Sequence, residues 1–446
     1  MYDIVIGRSK KDLKKLGTKG SIFLGKHYVK MGRTESLSNK VHLDISGAHV
    51  IFICGKRGGG KSYTMGVIAE GLADLEEDIK ENLAIIMLDT MGIYWTMKYG
   101  NDKEKDLLDE WGLKSKPLPI RIFTPIGYYY EYKEKGIPTD YPFALKPSDL
   151  DISDWILTFG IERYSPVGVL LERVTFILKK TKGSFGLDDM IEGIKSDTTS
   201  DQNTKNAAEN MIRNVETWKL FDEKGIDLND LAKGGEVSVL DVSCYATQPG
   251  GWQIKSLVVG LVSRKLFINR MLARKDEEYE EVHKSIHYFS DDDTNQKQEL
   301  PLIWLVIDEA HEFLPVTGKT AASDPLITIL REGRQPGISL ILATQQPGKI
   351  HTDVMTQSDT IISHRITAKL DTDALGMLMQ SYMRDGMDRY LNELPRIKGS
   401  AIILDDNNEK MYPIQIRPRF TWHGGSSPTA VKKKKKAIDL DFKKKL

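Results

Sequence analysis

Short apolar runs along the chain alternate with longer stretches in which apolar positions recur every three or four residues. Six runs are too short for helices and mostly apolar: "HVIFIC" (49–54), "LAIIMLD" (83–89), "PIRIFT" (119–124), "EVSVLDV" (236–242), "LIWLVID" (302–308) and "ISLILAT" (338–344). That is the pattern of parallel strands covered on both faces. Between about 148 and 234 the period becomes helical. "VGVLLERVTFILKK" and "TKNAAENMIRNVETWKLF" carry apolar residues near i, i+3, i+4 and i+7, which predicts a helical insertion in an α/β core. "WQIKSLVVGLVSRKLFINRMLARK" predicts a long helix, and the acidic "DEEYEEVHKSIHYFSDDDTNQKQE" after it reads as an exposed loop. Ahead of the core, "SIFLG", "HYVKM" and "VHLDI" predict a small β-structured unit.

The junction of the first long strand and the helix after it carries the chemistry. Residues 55–62, "GKRGGGKS", fit G-x-x-x-x-G-K-[ST] between an apolar strand and a helical stretch. Glycines let main-chain N–H groups approach a ligand closely, and the helix N-terminus adds its positive dipole end. The spacing therefore predicts a phosphate cradle made of Gly55, Arg57, Gly58, Gly59, Gly60, Lys61, Ser62 and Tyr63. Lys61 reaches the β and γ phosphates of ATP and the Ser62 hydroxyl joins a Mg²⁺ shell. A plain Gly-rich turn carrying a lysine is the bland alternative, and the strand–loop–helix context weighs against it.

A second group of polar residues falls at strand ends. Asp308 and Glu309 close "LIWLVID", where Asp308 is placed to hold Mg²⁺ and Glu309 to polarise an attacking water. A helix-capping aspartate is the ordinary reading of such a position. Gln345 follows "ISLILAT" and can hydrogen-bond a γ-phosphate or its water; a turn residue before Pro347 is the alternative. Asp89 ends "LAIIMLD" and faces the same edge, or serves only its turn. Arg334 follows a helix ending near Gly333, as a solvated C-terminal cation or as an arginine reaching a neighbouring subunit's nucleotide, with Arg331 as substitute.

Composition narrows the class. The 446 residues are 40% hydrophobic and 28% charged, as in globular proteins, and no apolar run approaches the ~20 residues that span a bilayer. "MYDIVIGRSKKDLKK" lacks the apolar stretch of a signal peptide, so a cytoplasmic location is expected. The two cysteines, Cys54 and Cys244, suggest neither a disulfide framework nor a metal site. The formal net charge of zero hides an asymmetry: residues 431–446, "VKKKKKAIDLDFKKKL", carry +6 and the remainder −6. A solvated, disordered tail or a contact with nucleic-acid phosphates or an acidic partner fits that lysine run.

Taken together, the phosphate loop, Asp89-x-x-Gly92, "IDEAHEFLP", "REGRQPGISLILATQQP", "SDTIISHRIT", "LPRIKGSAIILDD" and "IQIRPR" resemble the HerA family of hexameric DNA-translocating ATPases, in the group that includes FtsK. The resemblance covers roughly residues 20–418. It implies an α/β fold: a small N-terminal β-barrel-like unit (1–46), a RecA-like P-loop ATPase core (47–418) with a helical bundle inserted at about 148–234, and a basic tail (419–446). It further implies a homohexameric ring with a channel for double-stranded DNA, bound without regard to sequence. Lys61 and Ser62 then bind phosphate and Mg²⁺, Asp308 and Glu309 form the Walker B pair, Gln345 is the sensor, and Arg334 acts in trans. Family members act with a nuclease such as NurA or with a phage-defence effector. Two departures stand out: Gly92-Ile93-Tyr94 replaces a segment that often holds a glutamate, and the N-terminal segment is short for a complete barrel. "VTGKTAASD" is the channel-loop candidate, with Lys319 as its cation. The competing readings are a conjugation- or secretion-type ATPase and an ATPase scaffold that assembles an effector.

Overall fold

The computed structural model describes residues 3–31, 34–286, 300–366, 368–376, 390–391 and 393–425. Among the described residues thirteen strands form one sheet: β1 (Ile4–Ile6), β2 (Ser21–Met31), β3 (Thr34–Asp44), β4 (Val50–Cys54), β5 (Leu83–Asp89), β6 (Ile120–Pro125), β7 (Tyr141–Phe143), β8 (Val237–Asp241), β9 (Leu302–Ile307), β10 (Ile338–Thr344), β11 (Thr360–His364), β12 (Ser400–Asp405) and β13 (Lys410–Ile416). Their order is β1-β3-β2-β13-β12-β11-β4-β10-β9-β5-β8-β6-β7. From β11 to β7 every neighbouring pair is parallel. From β2 through β13 and β12 to β11 the pairs are antiparallel. All six predicted core strands are present.

The apolar runs are continuous because both faces of the sheet are buried, and successive side chains point to opposite faces. Along β4, Phe52 and Cys54 enter one core while Ile51 and Ile53 enter the other. The Lys61–Ala73 helix packs Met65, Ile68 and Leu72 into the second core. The long Gly251–Ile286 helix packs Ile254, Leu257, Val258 and Leu261 into the first. The helices Pro166–Thr181, Leu187–Ser196 and Gln202–Glu216 join that first core through Leu171, Ile191 and Ile212. Trp155 is buried beside them, stacked on Phe159 and Phe221 at 5.6 and 5.7 Å between ring centroids.

The acidic stretch after Lys275 departs from the expected loop, because the long helix continues through it to Ile286. Ion pairs one and two turns apart along the helix account for this. Arg274 meets Glu277 at 3.3 Å and Glu278 at 3.2 Å, and the buried Arg270 meets Glu277 at 3.0 Å. The rest of that stretch (287–299) and the lysine-rich segment lie outside the described residues.

The two ends of the described chain meet in the sheet. β13 pairs with β2 in the register Ile414 to His27 and Ile416 to Gly25. Beyond β13 the chain turns onto the Lys61–Ala73 helix, where the buried Glu70 accepts from Arg417 at 2.8 Å and from Arg419 at 3.1 Å. At the other end of β4, buried His49 donates to Asp359 at 2.7 Å and lies 3.5 Å from Asp44, which also pairs with Arg8.

Candidate active site

In the parallel sheet Cys54 lies level with Thr344, and Ile307 with Leu342. The phosphate loop, Asp308 and Gln345 therefore leave the carboxyl edge of β4, β9 and β10 side by side, where open α/β sheets bind ligands.

The loop joins β4 to the Lys61–Ala73 helix, with Gly60 as the helix N-cap at φ 121°. That backbone is closed to ordinary L side chains. A Cβ at Gly55 would come 2.6 Å from the Cβ of His364, and one at Gly60 would come 3.1 Å from its ring. Lys61 is only 5% exposed, and its ammonium donates to the carbonyls of Gly55 at 3.0 Å and Lys56 at 3.3 Å. Burial lowers its pKa, opposed by the carboxylates of Asp308 and Glu309.

Ser62 Oγ donates to Asp308 Oδ2 at 2.8 Å, and Asp308 Oδ1 accepts from the Glu309 N–H at 2.8 Å. Burial, and then the Glu309 charge, push the Asp308 carboxyl upward. Glu309 sits in the left-handed region at φ 51°, ψ 43°, a conformation that costs a non-glycine residue about 1 kcal/mol or more. The Gln345 amide donates to its Oε1. Its Oε2 is buried with no hydrogen-bond partner among the described residues. A hydroxyl and a carboxylate already in contact, beside an unused carboxylate oxygen, match the all-oxygen set that Mg²⁺ takes when phosphates complete its shell. No group of three or more His, Cys, Asp or Glu residues among the described residues could hold a metal unaided.

Lys61, Ser62, Asp308, Glu309 and Gln345 thus converge. Asp89 is buried at the same edge, but its oxygens are taken: Oδ1 accepts from Gly92 N at 2.7 Å and Met91 N at 3.1 Å, and Oδ2 from Tyr94 N at 2.8 Å. It shapes the turn. Burial first, then the neighbouring Asp241, push its pKa up to about 7. The Tyr63 side chain points to the C-terminal segment, accepting from Arg419 N at 2.6 Å. Arg57 and Gly58 are exposed on the loop.

Arg334 stands apart. It is exposed, before β10 begins, whereas Gln345 follows that strand, so roughly 20 Å of sheet separates them. It forms no ion pair among the described residues, whereas Arg331 is bound to Asp353 at 2.6 Å. Lys319 is exposed and pairs with Asp324 at 2.8 Å.

One residue was not predicted. His364, at the end of β11, lies under the phosphate loop, fully buried, with Nε2 2.9 Å from Thr64 Oγ1 and Nδ1 3.1 Å from the Ser400 carbonyl. Burial lowers its pKa to about 4, so the ring is neutral. It lies in "SDTIISHRIT", where only that stretch's resemblance pointed to it; a histidine ending an apolar strand is otherwise read as core.

Residues 25–264 match the family model described as Helicase HerA, central domain. The chain belongs to the HerA family. A HerA relative from Methanocaldococcus jannaschii is 24% identical over 343 residues, which cover 70% of this chain and 61% of the relative. The HerA described as a DNA double-strand break repair helicase in Pyrococcus furiosus is 29% identical over 163 residues, 35% of this chain and 29% of that one. The match thus spans less than two thirds of either HerA relative's length. Among solved structures, VirB4 of Thermoanaerobacter pseudethanolicus superposes with a TM-score of 0.52 at 12% identity, covering 90% of this chain and 97% of VirB4, a likeness of fold. No helix among the described residues is long and apolar enough to cross a membrane.

Proposed function

We propose that this chain hydrolyses ATP with Mg²⁺ and uses the energy to drive double-stranded DNA through a ring of six copies. The observation that carries the reading is the convergence of Lys61, Ser62, Asp308, Glu309 and Gln345. Lys61 neutralises the β and γ phosphates, while Ser62 and Asp308 hold the ion. Mg²⁺ neutralises charge that develops on the phosphates. Glu309, oriented by Gln345, accepts the proton of the attacking water, and Gln345 reports the γ-phosphate to β10. Asp89 holds the turn behind these groups.

Arg334 acts in trans, since its position at the far end of β10 keeps it from its own site while leaving it free to enter a neighbour's. The description of the Pyrococcus furiosus relative as a DNA double-strand break repair helicase supports DNA as the polymer. A nuclease or a phage-defence effector is the partner such a motor serves, and the cytoplasm is its place. The 1–46 unit, the 47–418 core and the basic segment from 419 divide these tasks as docking surface, motor and auxiliary contact.

The deciding experiment is ATP turnover with and without duplex DNA. Stimulation by duplexes of unrelated sequence supports the motor. Unstimulated slow turnover, with a protein co-purifying in fixed ratio, favours an ATPase scaffold instead.

A further inference from the structure

The phosphate loop is braced from below by a residue that lies outside the loop and outside the converging group of Lys61, Ser62, Asp308, Glu309 and Gln345. His364 is fully buried, and its two ring nitrogens join two different parts of the fold. The Ser400 carbonyl can only accept, so Nδ1 carries the proton and donates across 3.1 Å. Nε2 is left as an acceptor for the Thr64 hydroxyl at 2.9 Å. Thr64 lies in the first turn of the Lys61–Ala73 helix, whose N–H groups face the phosphates. His364 fills the space that side chains at two loop glycines would occupy, with its Cβ and backbone against Gly55 and its ring against Gly60. Ser400 in turn belongs to a polar cluster: its Oγ donates to Gln415 at 3.1 Å, and Tyr28 on β2 donates to Gln415 at 2.6 Å.

We propose that His364 is a positioning residue that sets the orientation of the phosphate loop by anchoring Thr64 to the β11–β12 edge of the sheet. The assignment rests on reading the site as an ATP site, and deepens it. Of the two hydrogen bonds, the one to Thr64 sets the loop; the one to Ser400 fixes the ring. The side-chain amide of glutamine reaches the place of Nε2, whereas that of asparagine reaches only the place of Nδ1.

The test measures ATP affinity directly, with Mg²⁺ and a fluorescent ATP analogue, beside the KM and kcat of turnover. His364→Gln is expected to stay near wild type. His364→Asn and Thr64→Val are each expected to weaken binding and raise KM about tenfold or more, with a smaller change in kcat. The Thr64→Val effect is expected to vanish in the His364→Asn background, since interacting neighbours are not additive. Thr64→Ser, which keeps the hydroxyl, should restore binding, and it remains informative if changes at His364 reduce solubility. Equal behaviour of Gln and Asn, or additive losses, in proteins that melt like wild type would overturn the assignment alone. Failure of the wild-type protein to bind the analogue would overturn the ATP reading and this role with it.

Discussion

Ser62 Oγ donates to Asp308 Oδ2 across 2.8 Å, tying the first turn of the phosphate-loop helix to the end of β9, two strands away. On the proposed function, binding and bond cleavage fall to adjacent but separate groups: Lys61 and Ser62 would face phosphate, while Glu309 is presented by the residue that meets Ser62.

Lys61→Ala should abolish ATP binding, because a methyl group cannot neutralise phosphate charge. Glu309→Gln should still bind ATP and lose hydrolysis by orders of magnitude. The glutamine keeps an oxygen to accept from Gln345, so the local geometry should survive. Equilibrium binding and single-turnover measurements on both variants check this; parallel loss of binding would contradict it.

Arg334→Ala should bind ATP yet lose about 10³–10⁵ in turnover, as for an arginine finger. Arg331→Ala, which breaks only an exposed ion pair with Asp353, should remain active. Mixing Arg334→Ala with Glu309→Gln subunits should recover part of the rate if the arginine acts in trans, because some interfaces regain both groups. Rates measured across mixing ratios decide it.

Much of this arrangement was legible in advance. The strands β4, β5, β6, β8, β9 and β10 announce themselves because a parallel strand buried on both faces must be apolar at every position. That Lys61, Ser62, Asp308 and Glu309 lie together could be anticipated, because the glycines and lysine of a candidate phosphate loop stand at fixed local spacing and the carboxylates stand at a strand end. His364 was not, because its partner Thr64 lies 300 residues away. Nor was the helix through Glu277 and Glu281: an acidic run looks like loop until Arg270 and Arg274 are set two turns before those glutamates.

The His49 contacts predict a pH dependence. The carboxylates of Asp359 and Asp44 overcome burial and raise its pKa to about 9, above the ordinary value near 6.5. The native state therefore holds a proton that the unfolded chain releases between those values, so its stabilisation is complete below pH 6.5 and is lost as pH rises through 9. The contribution is about 3 kcal/mol. Thermal melts of wild type and His49→Gln should differ most near pH 6 and converge by pH 10.

Asp89 and Asp241 predict a second window, at lower pH. Burial and mutual repulsion hold the Asp89 proton on in the folded state, so stability falls as pH rises from about 4 towards 7. Asp241→Asn removes one of the two charges and keeps an oxygen for the Ser243 N–H, now accepted at 2.9 Å. Its melting temperature should gain on wild type between pH 5 and pH 8.

Glu70→Ala should be among the most damaging single changes away from the site. It strands the buried Arg417 and Arg419 without their anion, at a cost of about 3–5 kcal/mol. Chemical denaturation of the variant, with Glu70→Gln for comparison, measures it.

The pairing of β2 with β13 reaches beyond the folded architecture, to the way the polypeptide acquires it. The third strand of the sheet's outer edge, counted from β1, finds its neighbour only after almost 400 further residues have been synthesised. Until then β2 and β3 emerge as a hairpin with an unsatisfied hydrogen-bonding edge, open to any other strand nearby. Such long-range closure is slow, because loop entropy must be overcome before the distant contacts reward it. Maturation should therefore be limited by arrival of the last strand, and nascent chains released before residue 416 should be trapped by chaperones or aggregate.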